Sequence, residues 1–213
     1  MDKRPTHDER VRKKGISHNI DLNEIKIRVE ERQDFNKIDE LLKIAFPKED
    51  VNDLVRDLRE SENYLPSIAF VAEKRENETQ ISGYIMYTKA SMLIGDEEQT
   101  ILILSPLAIL PEYQNQGLGI HLTRYSLDIC RKKGYNFVNV LGHPRYYPRF
   151  GFVPAFELGI SCSMPIDVPK AFMILDLQDE SLNDLKEKLL SVNSNYGDFK
   201  ANIVYPSEFE DHA

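Results

Sequence analysis

Between an apolar run that ends at Leu110 and an amphipathic run that starts near Ile120, the chain reads "PEYQNQGLG", with glycines at positions 117 and 119. Glycines so spaced at the mouth of a helix suit two tasks. One is a tight turn; the other is a backbone that must bring its N–H groups up to an anion. The first N–H groups of a helix lack intrahelical acceptors and carry partial positive charge. With no side chains at 117 and 119, such a turn holds a pyrophosphate without needing a lysine. Two better-marked phosphate turns are excluded. A P-loop needs Gly-Lys-Ser/Thr, and here Gly119 is followed by Ile120 and His121. A Rossmann turn wants a third glycine where this chain has Leu122, and an acidic residue ending the next strand, where it reads "NVLGH".

The elements that must carry this turn are visible in the period of the apolar residues. Before it, "QTILILSPLAIL" reads as a strand. Pro106 inside it cannot donate a ladder hydrogen bond, so a bulge or a gap in pairing is expected, leaving nearby backbone groups free. After it, a helix is expected over about Gly117 to Lys133, with Leu118, Leu122, Tyr125 and Ile129 on one face and Gly134 as its stop. Upstream lie a strand in "EIKIRVE", a helix in "DFNKIDELLKIAF" with Asp34 available as its cap, and a second helix on Val51, Leu54, Val55 and Leu58. "SIAFVAEK" and "QISGYIMYTKASML" look like an antiparallel hairpin. Downstream come a strand "NFVNVLG", an irregular "HPRYYPRFGFVPAF", a strand "AFMILDLQ", a helix "SLNDLKEKLL" and a closing "ANIVYPSEF". Helices therefore flank a mixed sheet, and the fold class is α/β, in the α+β sense of a sheet with several antiparallel strands.

Composition narrows the function. A chain of 213 residues, 41% of them hydrophobic, supports one domain core with appendages. The net charge of −8 weighs against a nucleic-acid partner, although residues 1–23 carry Lys3, Arg4, Arg10, Arg12, Lys13 and Lys14. Those residues have almost no apolar content and are expected to form a flexible arm, with 24–213 as a single domain. The longest apolar stretch, Ile101 to Leu110, is broken by Ser105 and Pro106 and falls short of a membrane span. No signal-peptide pattern is present, and Cys130 and Cys162 suggest neither a disulfide framework nor a metal knuckle. A cytoplasmic protein without membrane or metal is expected.

Gln-x-x-Gly-x-Gly at Gln114 to Gly119, behind a strand with a proline, resembles the coenzyme-A loop of the GNAT superfamily of N-acetyltransferases. Its pattern there is Arg/Gln-x-x-Gly-x-Gly/Ala. "YYPRFGF", residues 146–152, is similar to the tyrosine segment that follows the family's fifth strand. In finer detail, "SPLAILPEYQNQGLG", "LGHPRYYPRFGFVPA", "AFMILDL" and "VYPSEF" resemble the YhbS-type branch, so the likeness covers roughly residues 25–209.

The resemblance implies a GNAT-type domain over 24–213 with a C-terminal extension, its mostly antiparallel sheet splayed between strands 4 and 5. It implies acetyl-CoA as co-substrate, with backbone groups of Leu107, Ala108 and Ile109 along the pantetheine arm. The amides of Gln114, Asn115, Gln116, Gly117, Leu118, Gly119 and Ile120 would take the pyrophosphate. An N–H near Ile109 would meet the developing oxyanion. Tyr147, four residues before Gly151, aligns with the family's proton donor to the leaving thiolate, with Tyr146 the neighbour to distinguish from it. His143 is a candidate base, and Glu49, Asp50 and Asp53 are candidates to line the acceptor pocket. The expected reaction is direct attack of a primary amine, on a small molecule or a protein, by a monomer or homodimer. A non-catalytic acyl-CoA sensor on the same fold is the alternative.

Overall fold

The computed structural model describes residues 20–74, 77–178, 181–192 and 196–212. In chain order the elements are β1 (Ile25–Val29), α1 (Phe35–Ala45), α2 (Val51–Glu60), β2 (Phe70–Lys74), β3 (Asn77–Ile94) and β4 (Glu97–Ile109). Then follow α3 (Leu118–Lys132), β5 (Phe137–Leu141), β6 (Val153–Pro154), β7 (Ile160–Cys162), β8 (Phe172–Asp176), α4 (Ser181–Ser191) and β9 (Ala201–Val204). The sheet runs β1-β2-β3-β4-β5-β8-β6, and β9 pairs with both β3 and β7. Its neighbours are antiparallel except β4–β5 and β7–β9.

Alternation along the central strands buries both faces. Val71, Tyr84, Met86, Ile101 and Ile103 pack with Ile38, Leu41, Leu42, Leu54, Val55 and Leu58 of α1 and α2. Phe70, Ala72, Ile85, Tyr87, Leu102 and Leu104 pack with Leu118, Leu122, Leu127 and Cys130 of α3. Each large apolar side chain so removed from water contributes about 1.5–3 kcal/mol before entropy is counted.

The proline in β4 makes the expected bulge. Ile85 faces Leu107 and Tyr87 faces Leu104, so Ser105 and Pro106 together oppose Met86. An extra residue inverts the side-chain parity. Before the bulge the odd-numbered Ile101 and Ile103 face α1 and α2. Beyond it the even-numbered Ala108 and Leu110 do so, while Leu107 and Ile109 turn toward α3.

Charged residues tie α1 and α2 to the sheet. Asp34 was the expected cap of α1, but its carboxylate accepts from Arg28 Nη1 and Nη2 at 2.6 and 2.8 Å and from the Glu31 N–H at 2.8 Å. It closes the short 3-10 turn Arg32–Asp34 ahead of α1, because a half-buried guanidinium is a stronger partner than an open helix end. Arg28 also reaches Glu73 on β2. Arg59 on α2 pairs with Glu30 at 2.6 Å, where Tyr64 donates as well, and its guanidinium lies 3.9 Å from the centre of the Phe35 ring.

Order starts earlier than residue 24. Asp21 caps a 3-10 turn at Leu22–Glu24, and Ile20 and Leu22 pack against the α3-side core. Of the arm expected over 1–23, residues 20–23 are among the described residues and the first 19 lie outside them. The segment read as irregular contains β6, and β7 lies just beyond it. The closing stretch supplies β9, laid along Ser91–Ile94 of β3. No helix among the described residues is long and apolar enough to cross a membrane.

Candidate active site

β4 and β5 pair only at Leu102–Val138 and Ile103–Asn139, and then part. Asn139, fully buried at the fork, donates from Nδ2 to the Met173 carbonyl at 2.8 Å and accepts at Oδ1 from the Tyr205 hydroxyl. Beyond it opens a cleft of about 890 Å³. One wall is β4 from Leu104 to Ile109, and the other is Leu141 to His143 with Tyr146 and Tyr147. The turn leading into α3 and the α1–α2 junction, with Phe46, Glu49 and Val51, complete the lining. Asp50 and Asp53 lie outside the lining.

The turn is built to leave its amides bare. Asn115 and Gly117 take positive φ, 58° and 88°, which swings consecutive N–H groups to one side. Among the described residues, none of the amides from Asn115 to Ile120 finds an acceptor, and intrahelical bonding starts with the His121 N–H on the Gly117 carbonyl. Gln114 departs from the expectation, since its N–H already donates to Pro111 and its side chain to the Ile109 carbonyl. The Gln116 side chain is turned back as well, donating to the Glu112 carbonyl and accepting from the Ile20 N–H at 3.1 Å. Leu118 sends its side chain into the core and offers the cleft only its N–H. The two glycines differ. Gly117 serves conformation, because a side chain is strained at its φ, whereas a Cβ at Gly119 would come 3.0 Å from the Tyr146 hydroxyl.

On β4, the Leu110 N–H donates to the Ser82 carbonyl on the β3 side. Backbone groups alternate along a strand, so Ala108 faces β3 too, while Leu107 and Ile109 point into the gap toward β5. Of the three residues expected along the pantetheine arm, Leu107 and Ile109 line the cleft and Ala108 is spent on the sheet.

Tyr147 opens a 3-10 turn, Tyr147–Phe150, ended by Gly151 at φ 96°. Its ring packs edge-on against Tyr146 and Phe152 and lies over Gly142, where a Cβ would sit 2.3 Å from the ring. The residue is 7% exposed, yet its hydroxyl is not among the fully buried orphan atoms and has no partner among the described residues. It therefore keeps contact with the cleft. Burial, and then the neighbouring Tyr146, push its pKa well above the ordinary phenol value, so it holds its proton. Tyr146 differs in having a partner, Thr123 Oγ1 at 3.4 Å, and the Arg149 guanidinium 4.8 Å from its ring centre. His143 is exposed, and its Nδ1 accepts from the Arg145 N–H at 3.4 Å.

Residues 26–155 match the model of the Acetyltransferase (GNAT) domain. The chain belongs to the GNAT acetyltransferase family. The uncharacterized N-acetyltransferase YjhQ of Escherichia coli K12 is 35% identical over 139 residues, 65% of this chain and 75% of YjhQ. The uncharacterized N-acetyltransferase YhbS of the same strain is 34% identical over 157 residues, 74% of this chain and 90% of YhbS. The crystal structure of E. coli YhbS in complex with CoA superposes with a TM-score of 0.71 at 30% identity, covering 88% of this chain and 92% of that one. A Brucella melitensis GNAT family acetyltransferase in complex with acetyl-CoA, at 24% identity and TM-score 0.60, shares the fold over 87% of this chain and 97% of its own.

Sequence reasoning missed three contributors to this GNAT cleft. Arg145 and Arg149 line it beside Tyr146, and Gly142 makes room for Tyr147. A glycine directly between a strand and a pair of tyrosines was the available signal. Ile20 and Leu22, which buttress the turn, left no sequence signal, because their contacts span almost a hundred residues.

Proposed function

We propose that the cleft binds acetyl-CoA and transfers its acetyl group to a primary amine that attacks the thioester directly. The carrying observation is the run of unpaired amides from Asn115 to Ile120, opening on a cleft with a free tyrosine hydroxyl. In this reading the pyrophosphate takes those amides, where a helix N-terminus and a positive-φ turn both favour an anion. The pantetheine arm runs along Leu107 and Ile109, whose backbone groups face the gap like those of an unpaired strand edge. As the amine attacks, the thioester oxygen gains charge and the Ile109 N–H meets it. When the tetrahedral intermediate collapses, the C–S bond breaks, the thiolate takes the Tyr147 proton, and the phenolate is reprotonated by the proton that the attacking nitrogen sheds as it becomes an amide. A phenol that stays protonated over the ordinary pH range supports this role.

The acceptor amine, on a small molecule or a protein, approaches past Phe46, Glu49 and Val51. Glu49 is the carboxylate of the lining among the described residues, and it favours a cation. Cys130 and Cys162 are free thiols, which suits a reducing, cytoplasmic setting, with the chain working as a monomer or homodimer.

Calorimetric titration with acetyl-CoA, with NAD as the control, tests the reading, followed by thiol release against a panel of amines. One-site binding that NAD does not reproduce supports it. Absence of binding by every CoA species overturns it.

A further inference from the structure

The glycine turn answers an anion with dipoles alone. Residues 111–120 hold Glu112 and no cation, and the chain as a whole carries −8, which repels a polyanion at long range. Acetyl-CoA brings a diphosphate and a 3′-phosphate, more charge than one run of amides neutralises. The arginines of the cleft lining among the described residues are Arg145 and Arg149, both from the segment after β5.

Tyr146 joins them to the turn. Its hydroxyl lies 3.0 Å from where a Cβ on Gly119 would be and 3.4 Å from Thr123 Oγ1. The Arg149 guanidinium sits over the same ring, 4.8 Å from its centre, so one phenol ring separates it from the bare amides. Two carbonyls fix its direction, with Nε donating to Tyr146 at 2.8 Å and Nη2 to Arg145 at 3.4 Å. Its Nη1 has no acceptor among the described residues. Arg145 is exposed, and among the described residues its side chain makes neither a hydrogen bond nor an ion pair. Glu49, the carboxylate of the lining, pairs with neither arginine among the described residues.

Resting on the acetyl-CoA reading above, we infer that Arg145 and Arg149 are the cationic half of the phosphate site. The amides hold the phosphates of CoA from the α3 side, and the two guanidiniums close on them from the β5 side. Carbonyls and ring pre-orient Arg149, which limits the entropy lost when its fork meets a phosphate. The Tyr146 link places this pair at the phosphate turn, whereas the acceptor approaches past Phe46, Glu49 and Val51. Neighbouring tyrosines thus take separate tasks: Tyr147 serves the sulfur, and Tyr146 carries an arginine to the phosphates.

The test titrates CoA and dephospho-CoA, which lacks the 3′-phosphate, into the full-length chain, Arg145→Gln, Arg149→Gln and the double variant. Titrations at ~25 mM and ~0.5 M salt bracket weak and strong screening. Each single change should weaken CoA binding about three- to tenfold at low salt, the double variant more, and the gap should narrow at high salt. A loss that persists with dephospho-CoA assigns an arginine to the diphosphate, and a loss confined to CoA assigns it to the 3′-phosphate; either supports the pair. Arg149→Gln also gives up bonds within its 3-10 turn, whereas Arg145→Gln gives up none, so the second variant separates charge from local structure. Parent-like CoA affinity at low salt in Arg145→Gln and in the double variant overturns the inference and leaves the acetyl-CoA reading intact. A salt-insensitive loss confined to the variants of Arg149 overturns it too, since that arginine would then serve only its turn. Failure of the parent to bind any CoA species overturns both readings.

Discussion

At the scale of residues, the cleft separates two adjacent tyrosines by what surrounds each hydroxyl. Tyr146 meets Thr123, whereas the Tyr147 hydroxyl meets the cleft. Tyr147→Phe is therefore expected to lower kcat about 10²-fold while acetyl-CoA affinity stays within about twofold, and Tyr146→Phe should do far less to kcat. Steady-state thiol release and calorimetry read the two quantities separately. Burial raises the Tyr147 pKa, so its acid form persists past the usual phenol value. The rate should rise with pH as the acceptor amine deprotonates, and should not fall on the alkaline side below about pH 10. An alkaline limb near pH 8 would remove this phenol from the mechanism. Gly142→Ala probes the same ring from beneath, since a Cβ there has nowhere to go but into it. A loss of about 1–3 kcal/mol in urea unfolding is expected, together with a kcat loss that leaves the CoA Kd nearly unchanged.

At the scale of elements, the sequence revealed the parts that depend on local chemistry. Pro106 announced a break in β4, and the two glycines announced a turn into a helix; both are there. Hidden was the consequence of the break, an inverted parity that hands Ala108 to β3 and aims Leu107 and Ile109 at the cleft. That depends on how many residues the partner strand sets against Ser105 and Pro106, which no local pattern encodes. Asp34 was misjudged for a related reason. Its spacing fits a helix cap, but its partner Arg28 comes from β1, and Arg28 also holds Glu73 on β2. Burial acts to raise the Asp34 pKa, and the Arg28 guanidinium and the Glu31 N–H outweigh it, leaving the pKa lowered. A carboxylate depressed in the fold contributes stability that is present above its unfolded pKa, about 3.9, and is lost as pH falls through the folded value. Asp34→Asn should cost about 2–3 kcal/mol at neutral pH and flatten the dependence of stability on pH below about 5. Urea midpoints measured across that range check both. An unchanged acid slope would mean that Asp34 is not the group being titrated.

At the scale of the whole molecule, the fold is closed by residues far beyond the segment that carries the family pattern. β9 lies on β3 at Ser91–Ile94, more than a hundred residues away in sequence, and such a pairing leaves no periodic trace near either partner. The closing stretch could be read as apolar from the sequence, but its place could not. Its Tyr205 is buried, and the hydroxyl donates to Asn139, the residue at which β4 and β5 part. Asn139 in turn holds the Met173 carbonyl on β8. The C-terminal segment thus reaches through the sheet's far side to the fork from which the cleft opens. Tyr205→Phe removes one hydroxyl and leaves Asn139 Oδ1 buried without a donor, which should cost about 1–3 kcal/mol. Because the strain falls at the fork, CoA affinity is expected to drop as well, about two- to fivefold by the same scale of lost hydrogen bonding. Asn139→Leu, which removes the acceptor of the Tyr205 hydroxyl and the donor to the Met173 carbonyl, tests the origin of that loss. Paired with Tyr205→Phe in a double-mutant cycle, the two changes should show a coupling of about 1 kcal/mol or more. Additive effects on unfolding would mean that the Tyr205 hydroxyl and Asn139 act independently, and the fork would then owe nothing to that hydrogen bond.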